Sequence, residues 1–386
     1  MKIKNYITSL FFVLFLLVVF AGTLLTINVE KYSYKEAKDM PTMPEFSLRR
    51  FAKKEFINEF DRFIDCNYFL REMFLETACF IDKKVLLKNS VNEVFIIDNQ
   101  LVSPVYEQNV QGLKDKAAVL NQLNKEKDGT ELYFFLLPKK AELYVEEMNK
   151  KGANDYSIQD KQIFLDALDA DVNIYNLVEY YRELSKTETL YFRTDHHNNH
   201  IGAYYSYVYM IDTIRKDFPS VGAPLSLEDF TITKVADDFC GSRGRLMGRL
   251  NVGERDDFYK ITSPVLESEI AIEYEGEIYT TPFFSNKMTT TPDQNFYYNW
   301  YAHYMGANID IVKVTNNAAL TDLNLLVFKD SFMLPINIYL IQHFKTTTII
   351  DLRHYEEEDL REIIQRSDIV IFGYSELDSF NTYKFY

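Results

Sequence analysis

The stretch TDHHNNH, residues 194–200, gathers an acid, three of the chain's six histidines and two amides into seven positions. Three chemistries fit such a cluster. His196 and His200 are four residues apart and His197 and His200 three apart, so on a helix either pair shares a face, and Asp195 can add an oxygen ligand to a metal. A zinc site needs third and fourth ligands that this stretch does not clearly supply. Alternatively, Asp195 and His197 form a D-x-H turn, in which the carboxylate fixes the imidazole tautomer while the other ring nitrogen faces a nucleophile. The remaining possibility is a polar cluster that caps a helix.

The triad reading needs a serine, and LLVFKDSFMLPINIYL supplies Ser331 where an apolar run gives way to a helical one. At such a turn a hydroxyl projects from the sheet and backbone N–H groups can face a developing oxyanion. An unassisted serine is a poor nucleophile and requires a base within hydrogen-bond reach. The competing reading of KDS is a helix N-cap, because either side chain can accept from the first free N–H groups. Two further places bear on the site. In FCGSRG, Gly241 or Ser242 could bring a backbone N–H to the oxyanion, although a glycine between short strands also serves a turn. In IDLRHY, Arg353 could hold an anionic sugar or pair with a nearby carboxylate. His196 and His200 are expected to serve the helix start and packing.

The elements that must position these residues alternate in type. ELYFFLLP (131–138), DVNIYNL (171–177), TLYFRTD (189–195), LNLLVFKDS (323–331), TTTIIDLR (346–353) and SDIVIFGY (367–374) read as buried strands. Helical patterns separate several of them: IGAYYSYVYMIDTIRKDF (201–218), PINIYLIQHF (335–344) and EEEDLREIIQR (356–366), whose acidic start suits a helix dipole and otherwise a solvated face. Apolar strands alternating with helices predict an α/β fold with a parallel sheet covered on both faces. Functional residues of such sheets gather at strand carboxyl ends, where both TDHH and KDSF are expected. Residues 225–290 differ: glycines punctuate them and EIAIEYEGEIYTTPFF reads as a hairpin, which predicts an inserted β-rich segment. Residues 46–88 carry Phe56, Phe60, Phe63 and Ile64 at helical spacing and read as an amphipathic helical region.

TDHHNNHIGAYYSY resembles the signature of the DHHW family, a bacterial group related to the alginate O-acetyltransferase proteins and having an SGNH-hydrolase-like fold. The resemblance extends to ELYFFLLPKKAELY, DDFCGSRG, VFKDSFMLPINIYLIQHF and TTIIDLRHY, and so spans most of the chain after residue 45. It implies a Ser-His-Asp triad with the D-x-H block upstream of the serine: Ser331 as nucleophile, His197 as general base and Asp195 as its orienting acid. Asn198 stands where the family's name has tryptophan.

The remaining signals bound the setting. With 47% hydrophobic residues the chain can bury a large core, and a net charge of −15 argues against a nucleic-acid partner. Cys66, Cys79 and Cys240 lack CxxC pairing; buried free thiols are expected, with no required disulfide, no structural zinc and no cofactor. Ile7–Ile27 is an uncharged run of 21 residues, about 31 Å as a helix, which matches a hydrocarbon core of about 30 Å. Lys2 and Lys4 precede it and keep the N-terminus in the cytoplasm. A cleavable signal peptide ending near Val19 and Ala21 competes with an uncleaved anchor, and both send the rest of the chain across. The expected organisation is an anchor or signal over 1–30, a linker over 31–45 and an SGNH-hydrolase-like extracytoplasmic domain over 46–386.

The expected function is an extracytoplasmic, membrane-anchored O-acetyltransferase or acetylesterase acting on hydroxyls of a cell-surface polysaccharide. The resemblance also suggests a membrane-bound O-acyltransferase partner, because acetyl-CoA is cytoplasmic. Two other readings are a non-catalytic polysaccharide-assembly or binding module and a metal-dependent protein built on the histidine cluster.

Overall fold

Along the central strands, alternate residues serve two different cores. In the computed structural model, which describes residues 2–26, 32–127, 129–262, 264, 269–284, 295–356 and 360–385, Tyr133 and Phe135 enter one cluster while Leu132, Phe134 and Leu136 enter another. Leu325 and Val327 part from Leu326 and Phe328 in the same way. This is the period-2 rule of a strand buried on both faces.

The chain forms two compact units. The first comprises Met1–Asn92, Arg245–Gly253 and Asn295–Tyr297. It contains α1 (Lys2–Thr26), α2 (Leu48–Ala52), α3 (Glu55–Asn67) and α4 (Arg71–Phe80), which runs on into a π-helical turn at Ile81–Val85. Tyr6–Thr26 of α1 is long and apolar enough to cross a membrane. Within the stretch expected to be a linker, Tyr32–Ser33 pairs with Lys38–Asp39, and residues 27–31 lie outside the described residues. The region from 46 to 88 is helical, as its spacing predicts.

The second unit comprises Glu93–Gly244, Glu254–Gln294 and Tyr298–Tyr386. Its eight-stranded sheet uses β1 (Glu131–Leu136), β2 (Ile174–Asn176), β3 (Ile270–Tyr274), β4 (Glu277–Tyr279), β5 (Ile311–Asn316), β6 (Thr321–Lys329), β7 (Phe344–Ile350) and β8 (Ile369–Tyr374). Their order is β4-β3-β5-β7-β6-β8-β1-β2. β7, β6, β8, β1 and β2 pair in parallel, whereas β4, β3 and β5 add antiparallel to the β7 edge. The sheet is therefore mixed. The predicted hairpin is real, but it extends the main sheet. The other part of the 225–290 segment is a separate ribbon of Thr231–Phe239 with Asp256–Thr262, and residues 263, 265–268 and 285–294 lie outside the described residues.

One sheet face packs α7 (His200–Ile214) and α8 (Met333–Leu340), and the other packs α5 (Val110–Glu126), α6 (Ser157–Asp166) and the helix Leu360–Gln365. Residues 357–359, in the acidic start expected for that last helix, lie outside the described residues. TLYFRTD departs from expectation: only an isolated bridge, Tyr191 to Asn198, forms there. Leu190, Tyr191 and Phe192 are buried as a strand's would be, but the chain doubles back, with Asn199 N–H donating to the Leu190 carbonyl at 2.9 Å. TDHH thus sits in a tight loop that leads into α7.

Candidate active site

Ser331 follows β6 by two residues and sits in the turn that opens α8. Asp330 fixes this turn. Its carboxylate accepts from Phe332 N–H at 2.9 Å and, across the sheet end, from Ser375 and Glu376 N–H at 2.7 and 2.8 Å. Burial pushes the Asp330 carboxyl up to about 6 despite these donors. Ser331 itself is half-buried.

The TDHH loop is held from both sides of its backbone. The buried Lys140 ammonium donates to the carbonyls of Phe192, Arg193 and Asp195 at 2.7, 2.9 and 3.2 Å. Asp256 accepts from Arg193 N–H at 2.6 Å and from Thr194 N–H at 2.8 Å. A buried loop must satisfy its backbone polar groups somewhere, and here two side chains do it where strand partners would otherwise. Beyond the loop, Asn199 caps α7, its side-chain oxygen accepting from Ile201 and Gly202 N–H at 3.0 Å each.

This scaffold brings Asp195, His197 and Ser331 together. His197 Nδ1 lies 2.5 Å from Asp195 Oδ1, and His197 Nε2 lies 2.8 Å from Ser331 Oγ. Asp195 Oδ1 also accepts the His197 backbone N–H at 3.0 Å. Burial raises the carboxyl, but the charges of His197 and His196 and their hydrogen bonds outweigh it and hold Asp195 well below the usual carboxylate range. An ionised Asp195 keeps the proton on Nδ1 and leaves Nε2 to accept from the serine. Tyr301 stacks on the His197 ring at 4.0 Å, and Phe332 packs beside it with ring centroids 5.0 Å apart.

The other candidates have different places. Gly241 is needed for close approach, because a Cβ there would meet the Asp195 side chain at 2.3 Å. Its N–H donates to Thr194 Oγ1 at 3.0 Å, and the Ser242 N–H donates to Asp195 Oδ2 at 2.5 Å. Both donors expected near an oxyanion are thus engaged in holding the TDHH loop and its acid. Arg353 makes a two-pronged pair with Asp351, at 2.8 and 2.6 Å, and Lys329 reaches the same carboxylate at 3.1 Å. Of the two roles open to Arg353, the carboxylate pair is the one formed.

His196 donates to or accepts from Ser242 Oγ at 2.6 Å, and burial pulls its imidazole down to about 4. His200 lies apart, its ring 4.5 Å from Tyr259. Among the described residues, Asp195, His196 and His197 do bring ligand-type atoms within 4.8 Å of one another. The Asp195 oxygens already accept from His197 and Ser242, and neither helical pair containing His200 forms a cluster.

Residues 99–264 match the family model described as SGNH hydrolase-like domain, acetyltransferase AlgX. Over those residues the chain is similar to that domain. The match includes the Asp195, His197, Gly241 and Ser242 positions and ends before Ser331. No curated protein matches the chain. Among solved structures, Bacillus cereus PatB1 is 25% identical with a TM-score of 0.59, over 74% of this chain and 96% of that one. PatB1 with a sulfonyl adduct is 24% identical at the same TM-score of 0.59, over 76% of this chain and 97% of that one. A DHHW family protein from Eubacterium siraeum DSM 15702 is 18% identical with a TM-score of 0.57, over 74% of this chain and 91% of that one. The resemblance read from TDHHNNH and KDSF is borne out, as is the fold. An AlgX-type SGNH hydrolase-like domain supports acyltransferase or esterase chemistry.

Three residues with a direct hold on this site went unassigned in the sequence. Lys140 lies in ELYFFLLPKKAELY, one of the segments that carry the resemblance, so a signal existed at its position. Asp256 and Tyr301 lie in stretches with no such signal.

Proposed function

We propose that Ser331, His197 and Asp195 form the catalytic triad of a membrane-anchored, extracytoplasmic enzyme that transfers acetyl groups to, or removes them from, hydroxyls of a cell-surface polysaccharide. The reading rests on the continuous hydrogen-bonded path from Asp195 through His197 to Ser331 Oγ. Ser331 Oγ attacks the acyl carbon as its proton passes to His197 Nε2, and the imidazolium formed is stabilised by Asp195. The Phe332, Met333 and Leu334 N–H groups already have acceptors in the turn, which leaves the Ser331 N–H to receive the oxyanion. Collapse of the tetrahedral intermediate breaks the bond to the leaving oxygen, which takes the proton from His197. A sugar hydroxyl or a water then gives its proton to His197 Nε2 and attacks the acyl carbon, and collapse breaks the bond to Ser331 Oγ, which takes that proton from His197.

The α1 apolar span supports a single-pass anchor, and Lys2 and Lys4 ahead of it favour a cytoplasmic N-terminus with the remainder outside. A transferase outside the membrane requires an exported acyl donor, the task of a membrane-bound O-acyltransferase partner. The test uses the full chain in detergent micelles with 4-nitrophenyl acetate as substrate. Ser331→Ala and His197→Ala should each lower kcat by about a thousandfold or more, whereas His200→Ala retains it. Turnover that survives Ser331→Ala but disappears with chelator or His200→Ala would overturn the triad.

A further inference from the structure

We infer that α4 and the turn after it lie within the bilayer crossed by α1, with lipid acyl chains as the partner of their exposed apolar side chains. This rests on the anchor reading of α1. The Tyr6–Thr26 span has 21 residues, about 31 Å of helix, and matches one hydrocarbon core of about 30 Å. The chain after it packs back along the same helix. Thr23 Oγ1 accepts the Phe69 N–H at 2.9 Å, and Phe15 meets Phe74 edge-on at 5.8 Å.

Those contacts set a depth. Phe15 precedes Thr26 by about 16 Å along the helix axis. Were residues 69–74 kept in water, only Tyr6–Leu14 would remain to cross, about 13 Å of helix and less than half the core. An α1 that spans therefore takes Phe69 and Phe74 into the bilayer with it.

The pattern of α4 suits that position. Glu72, Glu76 and Cys79 fall at i, i+4 and i+7 on one face, and each acid has a protein donor, although Glu72 is exposed: Ser33 Oγ donates to Glu72 at 2.9 Å and Lys35 Nζ to Glu76 at 2.5 Å. Met73, Phe80 and Ile81 beside them are exposed. The turn beyond adds Val85, Leu86 and Leu87, which are 62%, 59% and 76% exposed. A patch of this kind marks an interaction surface. Its continuity with the anchor identifies the partner as lipid, and the exposed Lys84 and Lys88 alongside can reach headgroup phosphates through their flexible stems.

The experiment places a nitroxide at Leu86→Cys or Leu87→Cys in the full chain, in a Cys66→Ser background that removes the half-exposed native thiol. The protein is reconstituted into phosphatidylcholine–phosphatidylglycerol vesicles and washed with alkaline carbonate. Power-saturation measurements then compare access of oxygen and of a nickel chelate. We expect wash-resistant protein whose labels are several-fold more accessible to oxygen than to the chelate. Wash-resistant protein with chelate-accessible labels overturns the bilayer placement and leaves the anchor intact. Protein stripped by carbonate overturns the anchor reading, and this inference falls with it.

Discussion

Tyr301 lies flat on His197, with ring centroids 4.0 Å apart and planes 10° from parallel, and its hydroxyl donates to the Ser331 carbonyl at 3.0 Å. One buried side chain thus walls the base and steadies the backbone of the nucleophile. Burial, with the charge of Asp195 adding to it, holds the Tyr301 phenol well above its ordinary range, so it remains a donor at any working pH.

Separate variants divide these two duties. Tyr301→Phe keeps the stacked ring and loses one hydrogen bond, which costs about 1 kcal/mol; kcat on an acetyl ester should fall less than tenfold. Tyr301→Ala removes a buried aromatic ring, at about 3–5 kcal/mol of stability, and frees the imidazole to leave Ser331. Its kcat should fall at least a hundredfold at temperatures where calorimetry shows it folded. Equal kcat for both variants would show that the ring does not hold the base.

Lys140 gives a pH prediction of a different kind. Burial pulls its ammonium down to about 7, against Asp256 and Asp195, which favour the charge, while Arg243 and Arg193 disfavour it. An unfolded lysine keeps its proton to about 10.4. Between about 7 and 10 the unfolded chain binds the extra proton, so this group makes the folded protein more stable as pH rises. The loop responds in the opposite sense, because a neutral amine has two N–H groups for three carbonyls. kcat should therefore decline on the alkaline side of about 7 without loss of melting temperature. Lys140→Met should have low kcat at every pH and no alkaline decline; steady-state pH profiles of the two proteins decide it.

Asp330 provides a stability test near the nucleophile. Its folded-state carboxyl is raised to about 6 by burial, against about 3.9 in an unfolded chain. The folded chain binds the proton more tightly, so this group's contribution is fully present below about pH 4 and is lost as pH rises through about 6. The change is of order 3 kcal/mol. Asp330→Asn cannot accept from Phe332, Ser375 and Glu376 together and should lower stability at both ends of the range. It should also narrow the difference in melting temperature between pH 4.5 and 7. An unchanged difference means that another carboxyl is responsible.

The legibility of this protein in its sequence follows from the range of each interaction. β1, β6 and β8 are readable because burial on both faces gives apolar runs. The D-x-H spacing and the serine after β6 are readable because each is local. TLYFRTD misleads because Leu190, Tyr191 and Phe192 are buried like a strand, while their backbone partners are Lys140, Asp256 and the returning chain. Gly241 and Ser242 point to the right neighbourhood, but nothing local shows that their N–H groups face Thr194 and Asp195. Tyr301 is 104 residues from the base it covers, and no local pattern carries that.

Asn198, which stands where the DHHW family's name has tryptophan, has a prediction of its own. It is 2% exposed, forms the backbone bridge with Tyr191 and lies against α7 so closely that a Cβ on Gly202 would meet its Cβ at 3.1 Å. The neighbouring Tyr181 hydroxyl is already committed to the Gly202 carbonyl and Ser206 Oγ, both at 2.7 Å. An indole has no room here without moving α7 or the loop. Asn198→Trp should cost about 1–3 kcal/mol by overpacking, at about 2–4 °C of melting temperature per kcal/mol. Since Asn198 directly follows His197, any shift of the loop also lengthens the path from Nε2 to Ser331, and kcat should fall with the melting temperature. A variant with a raised melting temperature and unchanged or higher kcat would mean that this pocket accepts the family's tryptophan and that Asn198 is not what fits it.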